Sequence, residues 1–166
     1  RIYSVEIYAS LQGNYINNLL GSIDINNFGV QDSTSTYHMG QLKLRAVNES
    51  GQRRVSLYSD FMTADVRGEY TYTTLPQSFV HVLERYIPAL IGYQNQNTDH
   101  QNHFTFNLKL TDATPFQQVL ALPLELHEPI TLVGFFNDPE NKLDVDLIAD
   151  SFDYSGSHYE QARLRC

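Results

Sequence analysis

The sequence predicts a mainly all-β fold: an antiparallel meander curled into an elongated apolar groove, with one amphipathic α-helix at about 75–91. Three observations lead there. Apolar residues recur with a period of two over most of the chain, the breaks between these runs are rich in Asn, Asp, Gly and Ser, and a single segment switches to steps of three and four. The 166 residues suffice for one domain with a core and are few for two, so residues 1–166 read as a single β-groove segment.

Taken in order, Tyr3, Val5, Ile7, Ala9 and Leu11 alternate with polar residues, as do Ile23 and Ile25, then Leu42, Leu44 and Ala46. Further along, Phe104, Phe106, Leu108 and Leu110 alternate with Thr105, Asn107 and Lys109, and Leu143, Val145, Leu147 and Ala149 follow the same rule. Such runs are strands with one apolar and one wet face. Asn14 with Asn17-Asn18, Asn26-Asn27 with Gly29, Asn48 to Gly51, Asn137 to Asn141 and Ser155-Gly156-Ser157 supply turn chemistry between them. The turn signals divide the chain into about ten strands. Gln94 to Asn102 is polar throughout and reads as a loop. The exception is the stretch from Pro76 to Ile91, where Phe79, Val82, Leu83, Tyr86, Ile87 and Leu90 form a helical stripe. Thr74 and Gln77 have capping-box spacing, Pro76 falls in the first turn, and Pro88 and Gly92 end the helix. One helix cannot bury that stripe alone, so it is expected to cover an edge or end of the sheet.

Composition narrows the function classes. Eleven Lys+Arg against 19 Asp+Glu give a net charge of −8, which repels a phosphate backbone and argues for no nucleic-acid partner. No apolar run is long enough for a membrane-spanning helix. One Cys, at position 166, excludes an internal disulfide framework and a paired-Cys zinc site. The chain starts at Arg1 inside an alternating pattern and ends at Leu164-Arg165-Cys166 without a polar tail, so both ends read as cut from a longer protein.

Catalytic chemistry is hard to find. There is no nucleophile elbow, P-loop or dinucleotide fingerprint. His100 and His103 beside Asp99 lack a third ligand fixed by spacing, and Asp144, Asp146, Asp150 and Asp153 read mainly as a solvated strand face. Glu125 and Glu128 have no features beyond those of a chance carboxylate pair. Gly156-Ser157-His158 follows a strand within a turn, where small residues need no catalytic reason. The expectation is a non-enzyme with no catalytic residue, no metal and no cofactor. The informative feature is instead the apolar face, expected to be lined by Tyr3, Val5, Ile7, Leu42, Leu44, Val55, Leu57, Phe104, Phe106, Leu108, Leu110, Leu143, Val145 and Leu147. Burying such a Leu or Phe contributes about 1.5–3 kcal/mol, so the face has to be covered by a second sheet, by closure or by curling.

A family resemblance bears on that choice. Leu57-Tyr58-Ser59-Asp60-Phe61, followed by Ala64, Val66, Gly68, Tyr70, Leu75-Pro76 and a helix ending Tyr86-Ile87-Pro88, resembles TamB. More broadly it is similar to AsmA-like envelope proteins of Gram-negative bacteria, especially their Bacteroidetes members. Phe106-Asn107-Leu108, Pro115, Leu122, Leu124, the run Ile130 to Phe136, Leu143, Leu147 and Phe152 to Gly156 extend the likeness over nearly the whole chain. The resemblance implies an internal or C-terminal-half fragment of an inner-membrane-anchored, periplasm-spanning protein. Such proteins carry phospholipid along an apolar β-groove and are linked to outer-membrane protein assembly, the partners in assembly binding through regions outside this chain. It implies no catalytic residues.

Both lines of reasoning meet in one expectation: a non-enzymatic conduit segment of the cell envelope that binds phospholipid or another acyl lipid. Exposing an acyl chain to water costs about 0.8 kcal/mol per methylene, or about 10 kcal/mol for sixteen carbons, and an apolar groove removes most of that barrier. The alternative is a closed β-sandwich serving as an interaction or adhesion module of a cell-surface protein. An excised groove would self-associate through its exposed edges, whereas a sealed sandwich would stay monodisperse.

Overall fold

The computed structural model describes residues 2–31, 36–75, 78, 102–120, 123–137, 140 and 142–165. Ten strands account for most of them: β1 (Ile2–Gln12), β2 (Leu20–Gln31), β3 (Thr36–Glu49), β4 (Gln52–Ser59), β5 (Met62–Glu69), β6 (His103–Leu110), β7 (Leu124–Leu126), β8 (Ile130–Asn137), β9 (Lys142–Tyr154) and β10 (Ser157–Arg165). All pair antiparallel in one sheet of order β1-β2-β3-β4-β5-β6-β8-β9-β10, a meander apart from β7, which the path skips and which pairs with β9 just beyond β8. The sheet does not close, and β1 and β10 are its ends among the described residues. The mainly β, open meander matches the fold expected from the period-two pattern.

Register turns the alternation of each strand into rows that cross the sheet. One row runs Ala9, Ile23, Leu44, Leu57, Ala64, Leu108, Leu132 and Leu147, each directly opposite the next. A parallel row runs Leu11, Gly21, Ala46, Val55, Val66, Phe106, Gly134 and Val145. Because facing residues share a side of the sheet, these rows make one apolar face about 35 Å across at the usual strand spacing. The other face is polar and laced with exposed ion pairs, among them Lys43–Asp24 and Arg54–Asp65.

Tight turns join some strands, but the described parts of the β1–β2, β5–β6 and β6–β7 connections lie over the apolar face. At one end, residues 70–75 reach back to the β1–β2 connection, where Tyr72 Oη donates to the Leu19 carbonyl and Asn17 bonds Thr73. Beneath them lies a cluster of Val66, Tyr70, Phe104, Phe106, Phe136 and Val145. At the opposite end, helix α1 (Thr114–Leu120) lays Phe116 edge-on against Phe61, over a second cluster of Met39, Phe61 and Leu110. The two clusters flank the middle row, whose Leu44, Leu57, Leu108, Leu132 and Leu147 are half-buried.

Three local expectations need correction. Asn26-Asn27 and Gly29 do not end a strand: β2 runs through them, and Asn27 (φ 53) makes a bulge opposite the Ser4/Glu6 register shift. Asn102 is not a solvated loop residue but is 2% exposed, bonding Thr74 Oγ1 and Ser78 Oγ through its Nδ2. Helix α1 was not expected, because seven residues are too few to display a 3.6-residue period. Of the expected helix at about 75–91, Leu75 and Ser78 are helical and the Ser78 amide donates to the Thr74 carbonyl at 3.1 Å. Its covering residues Phe79, Val82, Leu83, Tyr86, Ile87 and Leu90 lie outside the described residues. Among the described residues no helix is long and apolar enough to cross a membrane.

Candidate functional site

The apolar face distributes the expected lining residues among three environments. Tyr3, Val5 and Ile7 on β1 stay exposed, at 59, 47 and 60%, because nothing among the described residues packs beyond that edge. Phe104, Phe106, Leu110 and Val145 are buried in the two side-chain clusters. Leu42, Leu44, Val55, Leu57, Leu108, Leu143 and Leu147 are half-buried between these extremes.

Where β1 to β4 meet the two folded-over connections, the face is not filled. A cavity of about 300 Å³ lies between strand residues Leu11, Ile23, Leu44, Ala46 and Val55 below and Ile16, Leu19, Tyr72 and Leu75 above. Its exposed wall is entirely apolar, and its size is at the lower end of small-molecule pockets. Leu44 and Val55 belong to the lining anticipated from alternation. Leu11, Ile23 and Ala46 sit in the same alternating runs, so the strand half of the cavity was readable in principle. Ile16, Leu19 and Tyr72 come from connections without periodicity, and nothing local signals that they roof a sheet.

A charge stands at the rim. The Arg53 guanidinium lies 5.2 Å from the centre of the Tyr72 ring, the same ring that roofs the cavity. Its Nη1 is buried with no hydrogen-bond partner among the described residues. Arg53 precedes Val55 by two on β4 and so shares the apolar face. Nearby, Tyr70 Oη donates to the Val66 carbonyl at 3.2 Å, and burial pushes its phenol well above the ordinary range, so it stays neutral and structural.

The polar candidates separate. Asp99 and His100 lie outside the described residues, while the His103 ring packs edge-on against Phe135 at 5.2 Å. Asp146 accepts from Arg163 and Arg165 on β10, and these bonds hold its carboxyl below the ordinary range. Asp153 instead sits between His127 and His158. Glu125 faces Asp153 across the β7–β9 pair, and Glu128 lies in the exposed segment after β7. No family model, no curated protein and no solved structure matches this chain.

Proposed function

We propose that this chain is a non-enzymatic, TamB-like segment of an envelope conduit, which binds phospholipid acyl chains on its apolar β-face and passes them along it in the periplasm. The observation that carries the reading is the pairing of a continuous apolar row across the sheet with an apolar cavity opening on that row. A row perpendicular to the strands offers a sliding chain an apolar side chain at each step from strand to strand. The Arg53 guanidinium at the rim suits an amphiphile with an anionic head, whose tail the cavity would hold and whose phosphate or carboxylate Nη1 would meet.

The test is lipid extraction and mass analysis of gently purified protein, followed by titration with a fluorescent phospholipid. Co-purified phospholipid is expected. Ala46→Phe, which fills the cavity from its floor, should weaken binding about tenfold or more, since several buried methylenes at about 0.8 kcal/mol each are displaced. Leu108→Asp in the middle row should strip bound lipid. Absence of extractable lipid together with no titratable binding would overturn the proposal and favour the adhesion alternative.

A further inference from the structure

At the far edge of the sheet from the cavity, three potential metal-binding side chains converge from three separate elements. Asp153 on β9 directs Oδ2 at His127 Nε2, 3.0 Å away, and Oδ1 at His158 Nδ1 in a short contact. The donor atoms of all three residues lie within 4.8 Å of one another. Their backbones are held independently of any ligand. Asp153 and His158 are directly paired across the β9–β10 hairpin, whose two-residue turn Ser155-Gly156 has both φ positive, at 50 and 79. The Ser155 amide donates to the Pro123 carbonyl at 2.9 Å, tying that turn to β7. His127 sits in a bulge where residues 127–129 face 150–151, and the His127 and Glu128 amides both donate to the Ser151 carbonyl.

A fourth residue sets the chemistry. His158 Nε2 lies 3.3 Å from Glu160 Oε1, and an ionised carboxylate can only accept, so a bond there needs the proton on Nε2. Without a metal, the protonated ring donates from both nitrogens, to Asp153 and to Glu160. When Nδ1 gives up its proton while Nε2 keeps its own, Nδ1 presents a lone pair beside the Asp153 carboxylate, and a cation can take the place of that proton. A carboxylate that fixes the tautomer of a ligating imidazole from its far side is the usual outer-shell arrangement of histidine metal sites.

We propose that His127, Asp153 and His158 bind one divalent transition-metal ion of the Zn²⁺ type, oriented by Glu160. Two imidazole nitrogens and one carboxylate suit Zn²⁺, Ni²⁺ or Cu²⁺ and not Ca²⁺ or Mg²⁺, which take all-oxygen sets. Ligand atoms about 3.4 Å apart fit a tetrahedral ion with bonds of about 2.0–2.1 Å, a spacing these part-exposed side chains reach by small rotations. Three protein ligands leave the fourth position to water. Bound there, the ion would staple β7, β9 and β10 together at the sheet edge.

The test is calorimetric titration of untagged, chelator-stripped protein with ZnCl₂, with CoCl₂ as a spectroscopic probe. One ion per chain is expected. Asp153→Asn, His127→Gln and His158→Gln should each weaken Zn²⁺ about tenfold or more, Glu160→Gln should weaken it less, and His103→Gln should leave it unchanged. Should a variant fail to fold by circular dichroism, X-ray absorption on the Co²⁺-loaded wild type decides, with two imidazole nitrogens expected in the shell. No saturable binding, equal binding by the His127→Gln/His158→Gln double variant, or an all-oxygen shell would each overturn the proposal. None of these outcomes depends on lipid binding.

Discussion

Gly134 on β8 stands directly opposite Phe106, whose ring folds over it. A Cβ there would fall 2.6 Å from Phe106 Cζ and also collide with the Asp144 carbonyl, which as backbone cannot step aside. Gly134→Ala is expected to destabilise the fold by about 1–3 kcal/mol in urea unfolding, and Phe106→Leu in the same chain should recover part of that loss. Asp146 supports a pH prediction. Its carboxyl is held low by hydrogen bonds from Arg165 and Arg163, so its contribution is present above the ordinary Asp range and lost as pH falls through the lowered folded-state value. Acid unfolding below about pH 4 should therefore differ between wild type and Asp146→Asn, with no change in the pH profile between 6 and 8.

Helices and connections decide what the strands leave open. Asp112 Oδ1 accepts from the Thr114 amide and hydroxyl, at 2.8 and 2.6 Å, immediately before α1, and Pro115 occupies its first turn. These are start signals, legible beforehand had so short an element been sought. Asp112→Ala is expected to cost about 1 kcal/mol in thermal unfolding, and to loosen Phe116 from Phe61. Asn102 plays the corresponding role at the other end, binding Thr74 and Ser78 where the 70–75 segment turns helical. Polar composition alone made it look like surface. Only its position between a strand and that segment shows it as a buried clasp.

The molecule as a whole is an unclosed sheet whose two ends differ. The middle strands have their apolar face covered from its two ends, by residues 70–75 and by α1, while β1 shows Tyr3, Val5 and Ile7 on that face and free backbone groups along its outer edge among the described residues. Such an edge pairs readily with another strand. Size-exclusion at two concentrations should show concentration-dependent association, and Val5→Lys should suppress it without lowering the unfolding midpoint by more than a few degrees. A wild type that remains monomeric at both concentrations would show that β1 is protected in solution.

Alternation was enough to place five strand runs and the face their apolar residues share, and the turn signals gave a count of about ten strands without a βαβ plan, because a period of two is a property of neighbours in the chain. It was also enough to nominate Leu44 and Val55. Which of the nominated residues fill space and which border a void was not local information. Phe104 and Leu44 alternate in the same way, yet one is sealed beneath Tyr70 and the other borders the cavity under Tyr72 and Leu75. The His127–Asp153–His158 group was equally hidden, since its members are 26 and 5 residues apart and meet only through a hairpin and a bulge. Side-chain periodicity sets the face a residue turns to. What covers that face depends on where long connections return, and this is settled by packing between segments distant in sequence.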